Sequence, residues 1–123
     1  MAFDKIVVEE GHSNYVVQIN GLSSDAANSI LITASTLSPP CQGLRLMKIS
    51  YDCGAGESVK LKHGGATNPF LTITEGNGQT ICYFKQGGIP DLSGGNGNIL
   101  IESVTGVYSL RLHFKKQKPV IPL

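Results

Sequence analysis

The residue types that most often carry chemistry are few in this sequence and do not group along it. His12, His63 and His113 lie at unrelated positions, each in a predicted turn or on the polar side of a predicted strand. A histidine serves as a general base or a metal ligand only when partner groups lie within hydrogen-bonding or coordination distance. Their spacing supplies no such partners, and neither a Gly-x-Ser-x-Gly elbow nor a recognisable Cys–His pair is present. We therefore predict three solvated histidines and no enzyme activity.

The three cysteines indicate neither a disulfide framework nor a structural zinc site. Cys41, Cys53 and Cys82 are odd in number and contain no Cys-x-x-Cys pair, whereas both kinds of site use paired thiols. We expect small buried or half-buried thiols in a protein made in a reducing compartment.

Two glycine-rich stretches have the composition of ligand-binding loops. Neither 54–56 nor 94–97 is followed by Gly-Lys-Ser/Thr or by a predicted helix, so the helix N-terminus that would hold a phosphate is missing. Asp91 and the run 94–98 resemble one calcium-binding glycine-rich repeat. That motif works as stacked copies, however, and Asn98 stands where an aspartate is needed. The sequence thus predicts no cofactor and no metal.

The elements that must position these residues are short strands. Apolar residues alternate with polar ones, as Leu110, Leu112 and Phe114 do in the last run. No window carries a sustained helical stripe, which argues against a parallel β-α-β arrangement. The predicted strands are 4–9, 15–19, 29–34, 44–51, 58–62, 70–74, 80–85, 98–103 and 107–115. About nine strands at this spacing predict an all-β fold, namely an antiparallel β-sandwich of jelly-roll type.

Three connections carry local predictions. Residues 75–78, Glu-Gly-Asn-Gly, predict a tight hairpin between 70–74 and 80–85, because Asn-Gly supplies the positive φ angles of such a turn. Residues 22–28 are compatible with a helical turn. The glycine-rich connection 86–97 is too long for a routine hairpin loop, so it is either a functional loop or a mobile one.

The chain is expected to form one domain over residues 1–117, followed by an extended tail over 118–123. Pro119 and Pro122 keep the tail out of a sheet interior. The basic run and the apolar residues after it suit a segment that adds to a sheet edge of a neighbouring chain. The candidate partner-contact residues are Lys115, Lys116, Lys118, Val120, Ile121 and Leu123 in this region, with Ile89 and Asp91 in the glycine-rich connection.

The composition disfavours several classes of partner. The formal net charge is +1 and 15% of the residues are charged, so no global field attracts nucleic acid or an anionic membrane. Weak charge suits a subunit that functions inside an assembly. The first residues lack the pattern of a signal peptide, and no apolar stretch is long enough to span a bilayer. Tryptophan is absent, which disfavours a carbohydrate-binding module but leaves it as an alternative.

The order of strands and turns in the last two thirds of the chain carries a family resemblance. A Tyr51-Asp52 turn precedes the Val-x-Leu strand at 59–61, and a glycine-rich loop later leads to an Ile-Leu strand. A Thr-Gly turn at 105–106 is followed by the closing Tyr-x-Leu-x-Leu strand at 108–112. The segments concerned, 49–61, 71–78, 97–106 and 108–112, resemble small β-rich virion structural proteins of tailed bacteriophages.

The resemblance implies a non-enzymatic decoration or cement protein that binds and stabilises the capsid lattice. Its partners would be the major capsid protein or other virion subunits, and it would form a homo-oligomer, with a trimer favoured. Either the N-terminal strand or the proline-bearing tail would reach the lattice. It would be made in the host cytoplasm and be located on the capsid surface of the virion. A neck or tail component, a carbohydrate-binding module and an enzyme with a site assembled by the fold remain as alternatives.

Overall fold

The computed structural model describes residues 3–21, 25–54, 58–74, 76–91, 97–103 and 108–117. The strands in these ranges are β1 (Phe3–Glu10), β2 (Asn14–Gly21), β3 (Asp25–Ile32), β4 (Gly43–Cys53), β5 (Val59–His63), β6 (Leu71–Ile73), β7 (Gly76–Cys82), β8 (Ile99–Ser103) and β9 (Tyr108–Gln117). Two short 3-10 turns, Ala34–Thr36 and Phe84–Gln86, lie in connections. Within these ranges, no helix has the length and apolar character needed to cross a membrane.

The strands form two antiparallel sheets. The five-stranded sheet has the order β1-β2-β9-β4-β7, and the four-stranded sheet has the order β3-β8-β5-β6. Without β1, the orders 2-9-4-7 and 3-8-5-6 are those of an eight-stranded jelly roll. The predicted all-β sandwich of jelly-roll type is therefore confirmed. β1 extends the five-stranded sheet beyond β2, and the four-stranded sheet has no matching fifth strand in the described ranges.

Buried apolar residues of the described ranges form a cluster between the sheets. Leu110, Leu112 and Phe114 of β9 are buried while their polar neighbours point away, as the period of two predicts. From the other sheet, Val59 and Leu61 of β5 belong to the same cluster. Each sheet therefore buries one face and leaves its other face to solvent, as antiparallel sheets commonly do.

The hairpin predicted at 75–78 is wrong. β6 pairs with β5 in the four-stranded sheet, whereas β7 pairs with β4 in the five-stranded sheet. Gly78 has a φ of 68°, and its N–H donates to the Asp52 carboxylate where the register between β4 and β7 shifts. The positive φ that Asn-Gly makes available thus serves a bulge within β7 rather than a turn between paired strands.

Two further predictions fail at the ends of elements. Residues 25–28 belong to β3 and not to a helical turn, while residues 22–24 lie outside the described ranges. The strand predicted over 80–85 ends at Cys82, because the chain enters a 3-10 turn and Gly87 then takes a φ of 75°.

The last strand is longer than its polarity pattern predicted. The expected strand ended at residue 115, but β9 continues to Gln117, which pairs with Gly43 of β4. Lys116 therefore belongs to the sheet, as Lys115 was predicted to do. Residues 118–123 lie outside the described ranges.

Candidate functional site

β1 is an edge strand that carries an exposed apolar run. β2 pairs with one side of β1, and no strand of the described ranges pairs with its other side. Ile6, Val7 and Val8 are 55%, 47% and 49% exposed. Unpaired backbone groups next to exposed apolar side chains are a ready template for another chain. We call the unpaired side of β1, with these three side chains, the β1 edge.

Val7 is exposed because the two sheets differ in width, whereas Ile6, in register with Gln18, lies on the outer face of the five-stranded sheet. Val7 is in register with Val17 of β2, which is completely buried, yet Val7 has no strand of the four-stranded sheet opposite it. Lys5 lies on the same face of the sheet as Val7, and its Nζ donates to the Leu31 carbonyl oxygen of β3 at 2.9 Å. Among the described residues, the Lys5 side chain thus links β1 to β3, the edge strand of the smaller sheet.

The flanks of the apolar run are mostly acidic. Asp4, Glu9 and Glu10 are exposed, and the register between β1 and β2 shifts at Val8. The Glu10 carboxylate accepts a hydrogen bond from the Ser38 N–H at 3.0 Å. Charges and bulges on an edge strand discourage indiscriminate pairing. The β1 edge therefore favours a partner strand that places apolar residues and cations in the right positions.

The lysines predicted to contact a partner lie in different environments. Lys115 is exposed on β9. Lys116 is only 4% exposed, because it continues the inward row of Phe114, and its Nζ donates to the Pro39 carbonyl oxygen at 3.0 Å. Lys116 therefore secures the 38–43 connection and is not available to a partner. The other candidates in this region, Lys118, Val120, Ile121 and Leu123, lie outside the described residues.

The two candidates in the glycine-rich connection point inward. Ile89 exchanges two backbone hydrogen bonds with Leu46 of β4, at 2.9 Å and 2.8 Å. The Asp91 N–H donates to Gln117 Oε1 at 2.7 Å, and Gln117 Nε2 donates to the Asp91 carbonyl oxygen at 3.3 Å. The Asp91 side chain is buried beside His63. These residues anchor the connection to the sandwich; residues 92–96 lie outside the described ranges.

His63 contradicts the prediction that all three histidines are solvated. It is buried at the end of β5, where its ring stacks on Phe70 with centroids 4.2 Å apart. Its Nδ1 lies 3.8 Å from Asp91 Oδ2. Burial lowers the pKa of His63, and the Asp91 carboxylate and the Pro90 backbone oppose this shift. Among the described residues no group of three or more His, Cys, Asp and Glu side chains is arranged to hold a metal ion.

The cysteines match the expectation only in part. Cys53 is buried and Cys41 is half-buried, and burial raises the pKa of the Cys41 thiol. Cys82 is exposed on β7, contrary to the expectation of buried or half-buried thiols. All three are free.

A second surface feature is a polar depression of about 300 Å³ on the outer face of the five-stranded sheet. Arg111 Nε donates to Gln18 Oε1 at 3.1 Å, and Gln18 Nε2 donates to Ser109 Oγ at 2.8 Å. Asp52 lines the same depression. Side chains of this kind bind sugar hydroxyl groups, so the depression is where the carbohydrate alternative can be tested.

The β1 edge lies on the N-terminal strand, one of the two segments that the resemblance implied for lattice contact, although its three apolar residues were not singled out from the sequence. Its signal is nevertheless present, because Ile6-Val7-Val8 breaks the strict alternation of a half-buried strand. Three consecutive apolar residues between charged ones indicate a strand that is either buried on both faces or exposed to a partner.

Searches against protein-family models, curated proteins and solved structures gave no match for this chain.

Proposed function

We propose that this protein is a non-catalytic structural subunit of a virion, of the capsid decoration or cement type, that assembles with its neighbours through the β1 edge. The observation that carries the proposal is the exposed, unpaired strand bearing Ile6, Val7 and Val8. The jelly roll supports it by analogy, because this fold recurs in viral capsid proteins, although a fold alone does not assign a function.

The mechanism would be strand addition. An extended segment of a neighbour pairs with the free backbone of β1, so main-chain hydrogen bonds give affinity and the apolar side chains give specificity. Fully burying such a side chain contributes about 1.5–3 kcal/mol, and these three are already half-buried. Each contact is therefore weak alone, and a ring of copies that binds several lattice sites together gains affinity from multivalency.

Attachment to particles tests the proposal. The variant Ile6→Lys/Val8→Lys places two cations on the β1 edge, and we expect it to bind empty capsids of the encoding virus at least about tenfold more weakly. The matched control is Ile30→Lys/Phe84→Lys, which changes two other apolar residues that are 50% and 58% exposed. Co-sedimentation with capsids measures both. Failure of the unmodified protein to sediment, or equal binding by the two variants, would refute the proposal.

A carbohydrate-binding module is the second candidate, favoured by the polar depression at Gln18, Ser109 and Arg111. A glycan array is the direct test. Binding of a glycan by the unmodified protein that is lost in Arg111→Ala, and retained in Ile6→Lys/Val8→Lys, would support this candidate over the structural one.

A further inference from the structure

A segment that pairs with the β1 edge must match its chemistry. The edge presents three apolar side chains beside the exposed carboxylates of Asp4 and Glu9. The cation on the same strand, Lys5, already donates to the Leu31 carbonyl oxygen. Opposite charges across paired strands are stabilising and like charges are not. The complement is therefore a short extended segment that joins apolar residues to a cation.

Residues 118–121, Lys-Pro-Val-Ile, have this composition. Successive N–H groups of a strand point to opposite sides. When Lys118 and Val120 direct their N–H groups at β1, the nitrogen of Pro119 faces away and costs no hydrogen bond. Pro122 then falls on the pairing side and ends the contact. The segment can thus form a short strand on β1 despite its prolines.

The same chain cannot place this segment along its own β1 edge. The sheet order β1-β2-β9 puts the free side of β1 three strand spacings, about 14 Å, from β9. β9 ends at Gln117, five positions beyond Leu112, and Leu112 is in register with Val17 and hence with Val7. The return along the strands is therefore about 17 Å. Residues 118–121 span at most about 14 Å when fully extended, so they cannot reach Val7 of their own chain.

We propose that residues 118–121 of one copy add to the β1 edge of a second copy as a further strand of its five-stranded sheet. The inference rests on the proposed assembly role and names the occupant of the same edge. The contact is head-to-tail, because each copy gives one strand and receives another. Such contacts close into rings when the rotation permits, so the predicted trimer needs no two-fold interface.

Direct pairing of two β1 strands is the competing arrangement. Antiparallel pairing centred on Val7 places Asp4 opposite Glu10 and Lys5 opposite Glu9, so two like-charged and two oppositely charged pairs form across the interface. Lys5, however, already donates to the Leu31 carbonyl oxygen. The register shift at Val8 also interrupts the regular pairing of this strand. The register shift and the existing hydrogen bond of Lys5 thus favour the basic segment of a second copy over a second β1.

A complementation experiment separates the two arrangements. The donor-defective variant is Val120→Asp/Ile121→Asp, the acceptor-defective variant is Ile6→Lys/Val8→Lys, and the control is Ile30→Lys/Phe84→Lys. We expect light scattering to give a concentration-dependent oligomer for the unmodified protein and the control, and monomers for the two defective variants. An equimolar mixture of the defective variants should contain heterodimers and nothing larger, because one intact donor meets one intact acceptor.

Several outcomes would overturn the inference. They are a monomeric unmodified protein, an oligomeric donor-defective variant, as β1–β1 pairing predicts, and a mixture without heterodimers. Circular dichroism identifies any variant that fails to fold. For that case, a labelled peptide of residues 115–123 is titrated into protein lacking 118–123. We expect fluorescence anisotropy to give this peptide a dissociation constant about tenfold lower than that of the same peptide with Asp at 120 and 121. Equal dissociation constants for the two peptides contradict the inference. The proposed function stays intact in that case if Ile6→Lys/Val8→Lys loses capsid binding and the control variant does not.

Discussion

The His63 side chain makes the stability of the sandwich depend on pH. Its ring is buried against Phe70, and burial lowers its pKa in the folded protein. The unfolded chain, with an ordinary histidine pKa of about 6.5, then binds the proton more readily. The stabilising contribution of neutral His63 is therefore complete above about pH 6.5 and is lost as the pH falls through the lowered folded-state pKa.

We expect the free energy of unfolding to decrease as the pH is lowered from about 7 to about 5, and to decrease less in His63→Gln. His113 contributes in the same direction, because burial and then the charges of Lys48 and Arg111 lower its pKa. Urea denaturation across this pH range measures the slope, with His12→Gln, at an exposed position, as the control. An unchanged slope in His63→Gln would contradict the assignment.

Lys116 is a second residue whose environment decides its role. Its stem packs in the inward row of β9, and its ammonium group satisfies the Pro39 carbonyl oxygen. Lys116→Ala should destabilise the protein by about 1–3 kcal/mol, since the substitution removes a partner from a carbonyl group and exposes apolar surface. Lys115→Ala, at the exposed neighbouring position, should change stability by less than about 0.5 kcal/mol. Equal effects in chemical denaturation would refute this distinction.

At the scale of elements, two glycines with the same backbone handedness should respond differently to a side chain. Gly88 has a φ of 87°, and a Cβ there would lie 2.7 Å from Arg45 Cγ and 2.9 Å from the Leu46 carbonyl oxygen. Gly78 has a φ of 68°, and a Cβ there would meet nothing within 4 Å. Gly78→Ala should cost about 1–2 kcal/mol for the backbone conformation alone, whereas Gly88→Ala should cost about 2–5 kcal/mol because overpacking adds to it. Thermal unfolding of the pair measures the difference, and a smaller loss at Gly88 would be the contrary result.

The strands could be predicted from the sequence, whereas their partners could not. The period of two at Leu110, Leu112 and Phe114 reflects burial of one face, which is a local property of a strand. Asn77-Gly78 supplies positive φ angles wherever they are needed, and only the pairing of β7 with β4 shows that a bulge needs them. Strand order depends on contacts between residues far apart in the chain, which local periodicity does not encode.

The candidate site was harder to predict than the fold for the same reason. Val7 is exposed because the four-stranded sheet ends at β3, whereas Ile6, in register with Gln18, lies on the outer face. An opposing fifth strand would have buried Val7 as completely as Val17. Likewise His63 and Asp91 meet only because the end of β5 lies beside the connection that enters from β7. The polarity of a residue predicts whether it prefers to be buried, and the width of the facing sheet decides whether it is buried.

Because the β1 edge is already exposed, its substitution should leave the fold intact. Ile6→Lys/Val8→Lys should shift the free energy of unfolding of the isolated chain by no more than about 0.5 kcal/mol per site. Denaturation at a concentration where the protein is monomeric measures this value. A large loss would mean that these side chains support the sandwich itself, and capsid or self-association tests with the variant would then report on folding.

At the scale of the whole molecule, β1 and β9 should differ sharply in importance. β9 lies in the interior of the five-stranded sheet between β2 and β4, and four of its side chains belong to the core. β1 lies at the edge and contributes only Phe3. A chain starting at Gly11 should keep the far-ultraviolet circular dichroism and the cooperative unfolding of a jelly roll, while a chain ending at residue 107 should show neither. A folded chain without β9 would contradict this ranking.

The central place of β9 also has a consequence for the order of events during synthesis. A ribosome releases the strands in sequence, so β2 and β4 emerge long before the strand that must join them. Until β9 appears, the apolar sides of both sheets stay open in the nascent chain and the sandwich cannot close. Long-range pairing of this kind is slow and prone to aggregation. We therefore expect folding to begin only after β9 has emerged, and nascent chains to depend until then on chaperones that shield their apolar strands.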